Sequence, residues 1–163
     1  MTEQISTPEN SEKIFNLRQA TYEDLDFLFK VSTLAMRPTV LAINPDREFD
    51  EQEEIEKYKA KFVPNEIDII QFEGQDVGRL RVVRSEDSIY VGGIQLLPEF
   101  QSKGIGTAIF EELIRESEQL NVPIILEVHD VNQDAIRFYE ELGLKAQSKT
   151  GNQTVMTYAP TSE

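Results

Sequence analysis

The sequence predicts an α/β fold on a mixed, mostly antiparallel sheet, and three stretches carry that reading. The first is Ile89 to Leu97, an amphipathic segment over 104–120, and the almost wholly apolar Val122-Pro123-Ile124-Ile125-Leu126-Glu127-Val128, which read as strand, helix and strand. Two strands joined through such a helix run parallel, in a crossover expected to be right-handed. The second is a pair of apolar runs, Ile67 to Phe72 and Val77 to Val83, around the turn Glu73-Gly74-Gln75-Asp76, which predicts an antiparallel hairpin. The third is a closing hairpin, Leu144 to Gln147 and Thr154 to Tyr158, around Lys149-Thr150-Gly151-Asn152.

Taken in order, residues 1–13 are polar and acidic and are expected to be a flexible tail, with one domain over 14–160. Ile14 to Ala20 reads as a first strand. Thr21-Tyr22-Glu23-Asp24 has the form of a helix cap with an acid three residues on, and Leu25, Leu28, Phe29 and Met36 keep a helical stripe behind it. Arg37-Pro38 is expected to end or kink that helix near Met36, because proline lacks the amide a helix needs. The charged stretch from Asp46 to Lys61, with Ile55, Tyr58 and Phe62 as a thin apolar stripe, predicts a second, peripheral helix. Ser85 to Ser88 makes a turn before the strand from Ile89, which Gly92-Gly93 interrupts as a bulge or close backbone contact. A short helix from Asn132 or Gln133 to Leu142 buries Ala135, Phe138, Tyr139 and Leu142, and Gly143 stops it.

Composition bounds the function. The 163 residues suit a single domain with a real core. With 39% hydrophobic residues and a mean hydropathy of −0.40, the chain is expected to be an ordinary soluble protein, and no apolar run approaches the roughly 20 residues of a membrane span. No apolar segment follows the first residues, so a secretory signal is not expected and a cytoplasmic location is. The absence of cysteine excludes disulfides and thiolate catalysis, and with one histidine no metal site is expected. A net charge of −14 argues against a nucleic-acid partner, which needs clustered Lys and Arg. The acid excess serves solubility, with steering of a cationic acceptor as the alternative.

The most informative stretch is Gln101-Ser102-Lys103-Gly104-Ile105-Gly106-Thr107, between the strand ending at Pro98 and the helix whose stripe is Ile105, Ile109, Phe110, Leu113 and Ile114. A helix start leaves backbone N–H groups unpaired and carries partial positive charge, so it suits a phosphate. The loop is not a Walker loop, since Gly106 is followed by Thr107-Ala108, and not a dinucleotide fingerprint, since position 109 is Ile. The remaining pattern, Gln-x-x-Gly-x-Gly, resembles the coenzyme A pyrophosphate loop of the GNAT superfamily of N-acetyltransferases. A second motif agrees: Val128 to Leu144, with Asn132, Ala135, Phe138, Tyr139 and Gly143, is similar to that family's late signature, with Leu144 in place of the usual Phe. The resemblance covers roughly residues 14–158, and Met36-Arg37-Pro38 resembles an uncharacterised bacterial subgroup.

The resemblance implies the GNAT fold, with helices on both faces and a parallel pair of strands, fourth and fifth, splayed at the cofactor site. It implies acetyl-CoA as cosubstrate and a small-molecule or peptide amine as acceptor. Leu96 and Leu97 are then expected to pair with the pantetheine arm through free main-chain groups, Gln101 to Thr107 to hold the pyrophosphate, and Asn132 to cap its helix and touch the pantetheine. Tyr139 lies where the family usually places a general acid. Gly92-Gly93 departs from the acidic residue usual in that subgroup near the end of the strand, so the base is water or is sought in Glu127 or His129, which share a strand face. Arg37 lies on the acceptor side and is a candidate to hold an acceptor carboxylate; a surface salt bridge is its alternative. A homodimer is a candidate assembly, and a silent acyl-CoA sensor is the competing reading of function.

Overall fold

The structure, a computed structural model, describes residues 13–161, so the expected tail lies outside the described residues except for Lys13. The elements are β1 (Asn16–Gln19), α1 (Leu25–Ile43), α2 (Glu51–Lys61), β2 (Asp68–Phe72), β3 (Gln75–Arg84), β4 (Ile89–Leu96), α3 (Ile105–Leu120), β5 (Ile124–His129), α4 (Gln133–Glu141), β6 (Lys145–Thr150) and β7 (Gln153–Tyr158). They form a seven-stranded sheet in the order β1-β2-β3-β4-β5-β7-β6. The β4–β5 pair is parallel, as the crossover through α3 requires, and the other neighbours are antiparallel.

Helices cover both faces of the sheet. Ile69 and Ile70 are adjacent on β2 and both fully buried, yet they belong to different cores, because side chains alternate across a strand. Ile70 joins Leu80, Val91, Ile124 and Leu126 against Ile105, Ile109, Phe110 and Leu113 of α3, with α4 packed beside them. Ile69 joins Ile67, Ala20 and Leu28 of α1, with Tyr58 of α2 and Phe62 just after that helix against them. This second core is smaller, which leaves room on that face of the sheet.

Both hairpin turns are tighter than expected, since Gln75 and Asp76 already belong to β3 and Lys149 and Thr150 still belong to β6, and two helix boundaries also differ. The first helix does not stop near Met36 but runs through Pro38 to Ile43, and the amide of Asn44 closes it on Val40 at 2.9 Å. Pro38 and the residue one turn back, Leu34, are exposed, so the carbonyl that proline leaves unpaired is open to water, while Thr39 beside it is buried. The second helix begins at Glu51 rather than Asp46, because the Asp50 carboxylate accepts from the Glu53 amide at 3.3 Å and caps it there.

Candidate active site

The β4–β5 pairing extends over three positions only, Ile89↔Ile124, Tyr90↔Ile125 and Val91↔Leu126. Beyond them β4 follows β3 as far as Leu96 and β5 follows β7 as far as His129, so the strands part from Gly92 onward. The cause is local: the β3–β4 register shifts between Arg81 and Val82, where Gly92 is the extra residue, and such a bulge bends its strand. Leu97 donates its amide to the Val77 carbonyl at 2.9 Å and accepts from Phe100 at 2.9 Å, so the expectation of a free Leu97 main chain does not hold. Antiparallel alternation then turns the amides of Leu96 and Ile94 toward the split, and Gln101 Nε2 donates to the Leu96 carbonyl at 3.0 Å. Ile94 was missed from the sequence because the motif marks the loop and not the strand parity before it.

Beside the split lies the 101–107 loop. Gln101 N–H donates to Pro98, Ser102 takes φ 65° and Gly104 φ 84°, and α3 starts with no side-chain cap. The amide of Ala108 bonds the Gly104 carbonyl at 3.0 Å, so those of Ile105, Gly106 and Thr107 precede the first turn's hydrogen bonds. A Cβ on Gly104 would meet nothing within 4 Å; glycine is needed there for its left-handed backbone, not for lack of space within the protein. A Cβ on Gly106 would touch Phe138 at 3.4 Å, so this glycine lets α4 pack close. Lys103 is exposed at the loop. Open amides at a helix start fit an anionic diphosphate, and an unpaired strand edge fits the amides of a pantetheine arm.

Asn132 caps α4 through its side-chain oxygen, which accepts from Ala135 N–H at 3.2 Å. About two helical turns beyond Asn132, the Tyr139 ring packs against Phe110 and Phe138, each with centroids at 5.4 Å. Burial pushes its hydroxyl up to about 12, so it is a protonated donor throughout the physiological range. Its hydroxyl makes no hydrogen bond to another described residue.

The two candidate bases differ. Glu127 is exposed and accepts from the Tyr90 hydroxyl at 3.1 Å. His129 has Nδ1 enclosed without a partner and Nε2 at 3.2 Å from the Gln153 side-chain nitrogen, which leaves neither nitrogen an open route to an acceptor amine. Arg37 sits over the Phe49 ring at 3.6 Å and pairs with Glu54 at 3.4 Å, so its guanidinium is already engaged. The arginines that sequence reasoning missed are Arg79 and Arg81. They line a cleft of about 400 Å³ between α2, the 62–67 segment that follows it and β3, on the face with the smaller core. Alternate spacing within a strand was the only signal for them, and it reads equally well as solvent exposure.

Comparison with known proteins agrees with this geometry. The model of the acetyltransferase (GNAT) family matches residues 25–144, and the chain belongs to that family. Acetyl transfer from acetyl-CoA is the activity of the class. A PaiA N-acetyltransferase from Thermoplasma acidophilum, solved with coenzyme A, superposes with TM-score 0.70 at 20% identity, covering 89% of this chain and 98% of that one. The ribosomal-protein-S18-alanine N-acetyltransferase from Escherichia coli gives 0.60 at 20% identity, covering 91% and 95%. Arabidopsis thaliana Naa50, solved with the bisubstrate analogue CoA-Ac-MVNAL, gives 0.60 at 16% identity, covering 90% and 99%. At these identities the likeness is one of fold. No curated protein sequence matches significantly.

Proposed function

We propose that this protein transfers the acetyl group of acetyl-CoA to a primary amine of a small molecule or peptide by direct attack. The observation that carries the reading is the split from Gly92 onward, with an unpaired β4 edge leading into an uncapped helix start at 104–107. Acetyl-CoA supplies the activated acyl group. The chain holds its diphosphate with the amides of the loop and its arm with the main chain of Leu96 and Ile94. Amides on β4 also stabilise the oxyanion that forms when an amine attacks a thioester. Tyr139 then donates its proton to the departing sulfur, and Glu127, rather than His129, takes one from the acceptor ammonium, directly or through water. A solved relative carries a CoA-peptide conjugate, which supports a shared route for donor and acceptor in this fold.

The test is thiol release from acetyl-CoA across small amines, amino acids and peptides. Acceptor-dependent thiol with an N-acetyl product is expected. Tight acetyl-CoA binding with no acceptor-dependent thiol supports the silent sensor instead, a reading favoured by the glycines that stand on β4 where an acid is usual.

A further inference from the structure

The cleft beside Arg79 and Arg81 has more cations than acids in its lining. Lys57, Lys61, Arg79 and Arg81 line it with Glu54 and Glu66, in a chain of net charge −14, and Lys57 pairs with Glu53 outside the cleft at 3.5 Å. Both acids are occupied: Glu54 pairs with Arg37 and Arg47, and Glu66 with Arg81 at 3.3 Å. Arg79 is different. Its Nη1 donates to Gln95 Oε1 at 2.5 Å, its Nε is enclosed with no partner, and no described carboxylate lies within ion-pair distance of it. Gln95 is held in that orientation by its own Nε2, 3.6 Å from Met36 Sδ on α1. Burial lowers the Arg79 pKa, Tyr58 counters this and Arg81 adds to it. A guanidinium whose Nε is enclosed without a partner and which has no ion pair is costly unless something else brings the counter-charge.

The placement of these guanidinium groups ties them to the split. A Cβ on Gly92 would stand 2.3 Å from Arg81 Nη1, and one on Gly93 would stand 3.1 Å from Arg79 Nη1. The two arginines therefore cross from β3 to lie over β4 at the residues where β4 leaves β5, and the glycines clear the space. Where the family resemblance implied an acid, this chain presents two cations.

We propose that the acceptor amine carries an oxyanion, a carboxylate or a phosphate, which Arg79 binds with Arg81 beside it at the β4 end of the cleft. This deepens the acetyltransferase reading and rests on it for the identity of the cleft as the acceptor side. Planar guanidinium groups match both anions bidentately. An acidic chain repels anions elsewhere on its surface, so this cleft is where an anionic acceptor is drawn.

The experiment measures acetyl transfer to matched pairs, β-alanine against β-alaninamide and ethanolamine phosphate against ethanolamine, with parent, Arg79→Met and Arg81→Met proteins. Calorimetric titration with N-acetyl-β-alanine and its amide runs alongside and needs no turnover. The parent is expected to favour the acidic member of one pair by about tenfold or more in KM, the scale of a charge-assisted hydrogen bond. Preference within the carboxylate pair assigns a carboxylate, and within the phosphate pair a phosphate. In Arg79→Met the preference should collapse toward unity, because KM for the acidic member rises more than KM for the neutral one. Arg81 lies at the rim, and Arg81→Met provides a second reading with less risk to the fold. Absence of preference in both pairs, or equal losses for charged and neutral acceptors in a variant that melts like the parent, overturns the proposal. If no amine is acetylated, the acetyltransferase reading fails on its own. The titration then decides: the acid bound by the parent and not by Arg79→Met upholds the oxyanion site, and no binding to the parent refutes it.

Discussion

Replacing Tyr139 by Phe separates catalysis from packing. The ring contacts with Phe110 and Phe138 are retained, and the hydroxyl that disappears has no hydrogen-bond partner among the described residues, so no buried group is orphaned. Stability should therefore change by less than about 1 kcal/mol in urea melts, since the usual penalty of a broken hydrogen bond is absent. Chemistry should respond differently. A hydroxyl at about 12 keeps its proton throughout the working range. Its transfer to a thiolate of ordinary pKa, near 8.5, is uphill by about 5 kcal/mol. The acid role therefore requires the departing sulfur to be desolvated in the same apolar setting, which raises its own proton affinity. On that basis kcat should fall by roughly 10²-fold or more with KM for acetyl-CoA little changed, as expected for a group that acts only in the transition state. The parent should show no alkaline loss of kcat from this residue below about pH 10, two units short of its own titration. The assay is steady-state thiol release on both proteins from pH 7 to about 10. A kcat within about threefold of the parent, well short of the scale of acid catalysis, refutes the assignment and leaves water as the proton source.

Two further outcomes follow from the backbone and from the first strand. Acetyl-CoA should slow hydrogen exchange at Leu96 and Ile94 but not at Leu97, whose amide is already bonded to Val77 at 2.9 Å; equal protection at all three positions would place the arm elsewhere. Arg18 donates to Asp24 at 2.9 and 3.1 Å and to Asp76 at 2.8 Å, and these hydrogen bonds hold both carboxyls below their usual values. A depressed carboxyl contributes stability that is present above its unfolded pKa near 3.9 and is lost as pH falls through the lower folded value. Arg18→Met should cost about 1 kcal/mol at pH 7, since the pairs are partly exposed, and close to nothing once both acids are protonated near pH 2. A difference that persists in acid shows that Arg18 acts through packing.

Local sequence determined the order of the elements, because the signals that set it act over a few residues. Strand-length apolar runs, the hairpin turns, the cap at Thr21, the helix stop at Gly143 and the helix stripe behind Gly106 each specify their own segment. The 101–107 loop and the Asn132-to-Gly143 signature were legible for the same reason, since their chemistry lies in contiguous backbone. Tertiary structure decided what no short window contains. Pro38 continues its helix because that side of the turn is exposed and water reaches the unpaired carbonyl. The parity of β4 was fixed by its hydrogen bonds to β3, which occupied Leu97 and turned Leu96 and Ile94 toward the split. The pairing of β3 with a bulged β4 brought Arg79 and Arg81 over Gly92 and Gly93. In the sequence those arginines are an ordinary alternating pair on a strand, because charge in a cleft depends on which partners are absent, and absence across a sheet is a property of the whole fold.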